Sequence, residues 1–413
     1  MANKLWNKNF SLLVIGQFIS IFGNAVLTFT LPLYALYLSG SPALYGVVLG
    51  LPFVAIMIAS PIGGIMADRL KKQRILFWLD AAVVLIIALY MVASGLFANM
   101  IPIVILKLLA LNAIQGMYAP TVYAGIPALV PESKLVAANS AVTTVDTLSN
   151  VAAPAVAGIL FGNFGLFPIL AVAAICFGVT AVIDLFIQIP YNKQTVDKGM
   201  FQIIKGDMSE AVLFVGKKNP RFILFIGLYF LIPVLIGPII VVGIPIFITQ
   251  DLNMGMEYIG IVKGVGWVGG ILGSMLAGFL GERLSIRSVP FTATLLGLSI
   301  IPIGAVLLFD MPISLAYIAM IGANIIYTMT FLLFMIAIDA HIQKITPEAL
   351  IGKVMSLFTA IPYFASGLGF VLFGILFERF YAISWLIIFA SACIVGVAML
   401  SLRKHLTKTT DKA

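Results

Sequence analysis

Charge is what this 413-residue sequence has least of: Asp, Glu, Lys and Arg together make up 10% of it, against about 25% in an average soluble domain. With 62% apolar residues and a mean hydropathy of +1.14, it has too little polar surface to coat a water-soluble fold of this length. Cysteine is almost missing as well. Cys176 and Cys393 each lie inside an apolar run, so no disulfide framework is indicated and both read as small buried hydrophobes. The two histidines, His341 and His405, fall at inner-face ends of apolar segments. No His, Cys or carboxylate cluster has metal-ligand or nucleophile spacing, so neither a metal site nor an enzyme is expected. A phosphate-binding G-x-x-x-x-G-K-[ST] loop is absent too. The Gly-Lys pairs at 216–217 and 352–353 are followed by Lys218 and Val354, which argues against an ATP-driven pump. No cofactor is implied.

What the sequence does have is long apolar segments. A bilayer-spanning helix needs about 20 apolar residues, and twelve segments reach that length, from 10–38 and 44–67 through to 352–377 and 383–402. The first follows Lys4 and Lys8 but carries no small-residue cleavage site, so it reads as a span and not a signal peptide. The expectation is an all-α membrane protein of twelve transmembrane helices. One long polar interval, 190–221, divides them into a six-helix half at 1–189 and a second at 222–413 with a short tail. Within the interval, Phe201, Ile204, Met208, Val212 and Val215 recur at spacings of three and four among Lys205, Glu210, Lys217 and Lys218. This pattern describes an amphipathic helix on the inner membrane surface that tethers the halves.

Lys and Arg set the orientation. With the N-terminus inside, Arg69, Lys71, Lys72 and Arg74, the basic residues of 190–221, and those of the tail all fall in inner segments. Only Arg379 falls outside, while Lys107 and Lys263 lie within spans. Both termini are then cytoplasmic in a multi-pass cell-membrane protein. The net charge of +8 therefore follows membrane orientation, and no nucleic-acid partner is implied.

The chain also repeats itself. A shift of 214 lays Ser60, Gly64, Arg69 and Leu70 on Ser274, Gly278, Arg283 and Leu284, with Asp68 on Glu282. A shift of 216 lays Gly158-Ile159-Leu160-Phe161 on Gly374-Ile375-Leu376-Phe377. Two parallel six-span halves with a site near midplane are one way a transporter is built.

The loop Gly64-Ile65-Met66-Ala67-Asp68-Arg69-Leu70-Lys71-Lys72-Gln73-Arg74 resembles the signature loop of the major facilitator superfamily, roughly G-x-x-x-D-R-x-G-R-R, with Lys71 and Gln73 departing from it. Its partial echo lies at 278–287. The resemblance covers essentially the whole chain and implies two pseudo-symmetric halves in the major facilitator fold. It implies an inner gate latch made by Gly64, Asp68, Arg69, Lys72 and Arg74 with Glu282 and Arg283. Physically, Gly64 permits close helix contact, and Asp68 can accept hydrogen bonds at a facing helix N-terminus. In the fifth span, Ala153-Pro154-Ala155-Val156-Ala157-Gly158 is similar to the G-P-x-x-G-G element of antiporter branches, with alanine at two of its glycines. Gly266, Gly270, Ser274 and Gly278 form a period-four stripe of small residues in the eighth span. The resemblance implies that these two spans pack together, through Pro154 and Gly158 on one side. Lys218-Asn219-Pro220-Arg221-Phe222 looks like the drug-efflux subgroup that includes macrolide exporters.

Ionisable groups at membrane depth are costly and usually functional. Asp146 lies near the middle of the fifth span. It is the coupling or substrate candidate, with Lys107 as its partner by depth alone. Asp80 and Asp184 lie close enough to the inner face to snorkel and read as structural. Gln17, Asn24, Asn112, Gln115, Asn150, Asn324 and Tyr327 either line a cavity or bridge helices. The function expected is a secondary-active exporter of small amphiphilic compounds, exchanging them for protons as a monomer among membrane lipids. A lipid or lysolipid flippase, or a siderophore or metabolite exporter, is the alternative. A non-transporting sensor or scaffold would need a larger soluble domain.

The orientation can be measured directly. In a variant lacking Cys176 and Cys393, an impermeant thiol reagent added to intact cells should label Phe380→Cys and spare Lys72→Cys and Ser285→Cys. Labelling at 72 or 285 would overturn it.

Overall fold

The computed structural model describes residues 5–94, 96, 100–190, 206, 209–210, 212–216, 221–281, 284, 286–309, 311–347 and 350–410. These contain no strand and twelve helices long and apolar enough to cross a membrane. The first six are α1 (Lys8–Ser39), α2 (Pro42–Arg69), α3 (Lys72–Ser94), α4 (Ile101–Leu129), α5 (Leu135–Phe164) and α6 (Leu166–Phe186). They are followed by α7 (Phe222–Gln250), α8 (Met256–Leu280), α9 (Ile286–Leu308), α10 (Ile313–Ile345), α11 (Ile351–Arg379) and α12 (Ser384–Thr410). The protein is thus a multi-pass membrane protein. Trp78, Phe279 and Phe291 are 68%, 87% and 70% exposed, as suits side chains that face acyl chains in place of water.

Local chemistry sets the ends. The Asn7 side chain accepts from the Phe10 N–H at 3.0 Å and donates to the Leu129 carbonyl at 2.7 Å, so one residue caps α1 and ties it to the end of α4. Gly40 takes φ 64°, open to glycine without strain, and its N–H closes α1 on the Leu36 carbonyl. In α7, Pro233 and Pro238 remove two backbone donors, and the chain widens into a π turn at Ile239–Gly243. The span survives because it is enclosed: 78% of its central window is buried, against at most 50% in any other span.

The chain forms two compact units. One comprises Met1–Gly40, Leu51–Asp197 and Met256–Gly264; the other comprises Ser41–Gly50, Lys198–Gly255 and Val265–Ala413. The first turns of α2 therefore belong with the second unit, and the first turns of α8 with the first. In the first unit Phe10, Leu13, Leu76, Tyr118, Val122, Ile126 and Val142 make a continuous apolar core from α1, α3, α4 and α5. The second unit is built around α7. Tyr229 donates to Asp339 Oδ1 on α10 at 2.5 Å, its ring packs against Phe334 and edge-on to Phe358, and Phe222 and Phe225 extend the cluster from Phe358.

Two readings change. Cys393 is exposed and Cys176 half-buried, because an apolar run shows that a residue lies in the membrane, not that protein covers it. The tenth apolar segment continues past its first charge as one helix to Ile345, so Asp339 and His341 are helical residues of the bundle. Of the amphipathic helix at 201–215, Phe201, Ile204, Lys205 and Met208 lie outside the described residues. Glu210 and 212–216 are helical, and Lys353 Nζ meets Glu210 Oε2 at 2.6 Å.

Outside the spans, Asp251 follows α7 directly. The Tyr381 hydroxyl donates to its Oδ2 at 2.6 Å. Burial pushes the Asp251 carboxyl above its ordinary range, and the tyrosine bond partly opposes that.

Candidate functional site

The polar face of α5 is the most unusual surface in the chain. Ala138, Val142, Ser149, Ala153 and Ala157 are buried, and Ser149 Oγ donates to the Phe18 carbonyl of α1 at 3.4 Å. The opposite face carries Asn139, Thr143, Asp146 and Asn150, a spacing of four, three and four that aligns them on one helical stripe. Asn139, Thr143 and Asp146 are exposed and Asn150 is half-buried. Each amide or hydroxyl bonds within α5: Asn139 Nδ2 donates to the Leu135 carbonyl and Thr143 Oγ1 to that of Asn139. Asn150 Nδ2 donates to the Asp146 carbonyl at 2.8 Å and to Asp146 Oδ1 at 3.2 Å. The stripe is satisfied by its own helix and turned away from its own unit's core.

Lys107 does not partner Asp146. It is 3% exposed on α4, its Nζ lies 4.1 Å from the Tyr90 ring centroid on α3, and that Nζ has no hydrogen-bond acceptor. The cation sits on an aromatic face, which replaces part of its hydration. Depth along a span says nothing about which side of the helix a side chain takes, and α4 turns Lys107 towards α3. Asp80 and Asp184 do not snorkel either. At 0% and 2% exposure, they face inward between α3 and α6.

The neutral candidates divide. Gln17 is buried on α1, and Asn24 and Gln115 are half-buried. Asn112 donates to the Leu108 carbonyl of its own helix at 2.8 Å. Asn324 and Tyr327 are buried on α10. Gly266 of α8 makes room for the Asn324 amide, and Tyr327 stacks on Phe331. Of the gating-loop residues, the Asp68 side chain, Glu282 and Arg283 lie outside the described residues. Gly64 has nothing within reach of a Cβ among the described residues. Its neighbour Gly63 makes the close approach, to the Met117 backbone of α4. Arg69 and Arg74 are exposed and Lys72 half-buried.

Glycine placement shows one contact built twice. A Cβ on Gly260 of α8 would stand 2.9 Å from Gly158 Cα and 2.5 Å from the Pro154 carbonyl of α5. A Cβ on Gly46 of α2 would stand 3.0 Å from Gly374 Cα of α11 and collide with the Phe370 carbonyl. The 214-residue shift carries Gly46 to Gly260, and the 216-residue shift carries Pro154 and Gly158 to Phe370 and Gly374. Gly50 against the Gly367 carbonyl and Gly264 against that of Val151 follow the same relation. The close approaches of α8 to α10 fall at Gly266, Gly269 and Gly273. Gly270 and Gly278 meet no other helix among the described residues, and Ser274 bonds its own turn.

Glu378 went unnoticed in the sequence. The Ser41 hydroxyl and the Ala43 N–H, the latter at 2.9 Å, both donate to its Oε2, so α11 supplies an anion to the N-terminus of α2. At the equivalent place in the other pair, Gly162 of α5 gives way to Glu257, which belongs to the first turn of α8 itself. The only sequence signal was a carboxylate at the edge of an apolar segment.

A helical membrane bundle with doubled backbone contacts and a polar face in one span is transporter architecture. The chain belongs to the Major Facilitator Superfamily, whose model matches residues 13–370; it is a transporter of small molecules and not an enzyme. It is 27% identical over 315 residues to the multidrug resistance protein MdtG of Salmonella arizonae, covering 73% of this chain and 74% of the relative. It is 21% identical over 396 residues to macrolide efflux protein A of Streptococcus pyogenes, covering 93% of each. Among solved structures, the nucleoside transporter NupG superposes with a TM-score of 0.74 at 16% identity, covering 96% of this chain and 99% of that one. A bacterial homologue of the iron transporter ferroportin gives 0.72 at 16% identity, covering 96% and 98%. These two likenesses establish the fold alone.

The doubled contact leads to a prediction. Gly158→Leu and Gly46→Leu should each destabilise the packed form by about 1–3 kcal/mol, lowering the unfolding midpoint in detergent and slowing transport. Gly270→Leu, with no opposing helix, should leave both unchanged. Equal effects at all three positions would contradict the assignment.

Proposed function

We propose that this transporter exports small amphiphilic compounds, of drug and macrolide type, in exchange for protons by alternating access. The observation that carries the reading is the exposed stripe of Asn139, Thr143, Asp146 and Asn150. Acyl chains do not solvate an ionised carboxylate, so this face is read as lining an aqueous path, with Asp146 as the proton carrier. The antiporter-like element at 153–158 lies on the same helix, about 18 Å along it from Asp146 to Gly158. Protonation and backbone packing are therefore carried by one continuous helix. The names of the relatives, multidrug resistance and macrolide efflux, support the substrate class.

In this reading the halves at 1–189 and 222–413 rock about the glycine contacts, joined by the cytoplasmic linker 190–221, with both termini cytoplasmic. Gly64, Asp68, Arg69, Lys72 and Arg74 latch the inner side with Glu282 and Arg283. Gln17, Asn24, Asn112, Gln115, Asn324 and Tyr327 remain candidates for substrate contact, and the unit of function is a monomer in lipid.

Asp146→Asn tests the coupling. Asparagine keeps the shape and the bond to Asn150 but carries no exchangeable charge. In proteoliposomes under an imposed pH gradient, the variant should lose uphill transport and keep downhill exchange of an uncharged substrate. Concentration of substrate at the wild-type rate would make Asp146 structural and put coupling elsewhere.

A further inference from the structure

The core of the first unit encloses a pair of acids that the proposed transport cycle does not use. Asp80 is the ninth residue of α3, and Asp184 lies two residues before the end of α6. Their carboxyls lie close enough to act on each other directly, and the residues are 0% and 2% exposed. Each nonetheless keeps one oxygen, Oδ2, buried with no donor in reach. Among the described residues the only donor to the pair is Ser20 Oγ of α1, at a long 3.4 Å to Asp80 Oδ1. Two buried acceptors facing each other with nothing between them is an arrangement that proteins avoid.

Among the described residues the neighbouring helices supply no cation to the pair. From α1 the pair meets Ser20, with Gln17 beside it. From α4 it meets the Tyr118 hydroxyl, which touches Ser20 and Gln17 and acts on both acids. The α5 helix also packs on α6, but its only carboxylate, Asp146, points to the opposite face. Lys107 is occupied by the Tyr90 ring on another part of α4. A metal ion is a poor fit: among the described residues no group of three His, Cys, Asp or Glu side chains converges, and carboxyls already in contact leave no gap for an ion.

We propose that Asp80 and Asp184 form a proton-binding site, holding one proton between them as a carboxylic acid–carboxylate pair inside the α1–α3–α4–α6 core. The proton turns one orphaned acceptor into the missing donor, leaves one delocalised charge in place of two, and fastens α3 to α6. Two carboxylates in contact cannot both ionise without strong repulsion, so the pair titrates as a unit. This goes beyond coupling at Asp146 and needs no transport to be seen.

The test is infrared spectroscopy of the purified protein at neutral pH. Wild type should show a protonated-carboxyl carbonyl band that shifts on transfer to deuterium oxide. Asp80→Asn and Asp184→Asn should each abolish it, because the asparagine amide then donates to the remaining carboxylate. Asp146→Asn should leave it in place, which separates this site from the coupling proposal. A wild-type spectrum without such a band overturns the inference even if the variants fail to fold. So does a band that survives both substitutions, or one that emerges only after a chelator strips a bound cation.

Discussion

Hydrocarbon offers no hydrogen bonds, so every polar group along a spanning helix must find its partner in protein or water. That constraint explains most of the uncommon features of this molecule. The α7 helix breaks its ladder at two prolines and survives because protein surrounds it. Lys107 exchanges water for the face of Tyr90, and Asp339 takes the Tyr229 hydroxyl. Asp80 and Asp184 have each other and one long bond from Ser20. Asp146 is left facing outward, on a stripe whose amides and hydroxyls are already bonded to their own helix.

The same constraint limits how helices can be fastened. Between spans there is little hydrophobic drive, since lipid tails are as apolar as leucine, and adhesion rests on close packing. Gly46 with Gly374, and Gly158 with Gly260, bring backbones together at points equivalent under the internal repeat. A side chain at any of them would push the helices apart. The two copies differ in their charge: Glu378 reaches across from α11 to cap α2, whereas Glu257 belongs to the helix whose start it occupies.

The fold was legible because hydropathy reports membrane residence directly and gives all twelve spans, while the family resemblance came from the loop at 64–74. Facing was not legible. Cys393 lies in the membrane yet outside the protein core; Gly63, not Gly64, touches α4; and Gly269 and Gly273 share with Gly266 the contacts expected of Gly270 and Gly278. The paired acids were missed for the same reason. Their distance from the membrane surface was clear, but their orientation depends on how α3 and α6 roll against α1. Asp339 was not singled out because it stands where the tenth apolar run meets its first charge, although its helix continues to Ile345. Of the candidate site, Asp146 and Asn150 emerge together, while Lys107 belongs with another helix. The Asp68, Glu282 and Arg283 side chains lie outside the described residues, so the inner latch rests on its motif.

The central claim is that substrate and protons move in opposite directions through one cycle, and proton flow itself is its most direct measure. Wild-type protein would be reconstituted into liposomes loaded with an amphiphilic macrolide, with no initial pH gradient, the membrane potential clamped and a pH-sensitive dye inside. As the compound leaves down its gradient, the lumen should acidify. Acidification should require both protein and substrate, and a protonophore should dissipate it. Substrate efflux at an unchanged internal pH would contradict the account.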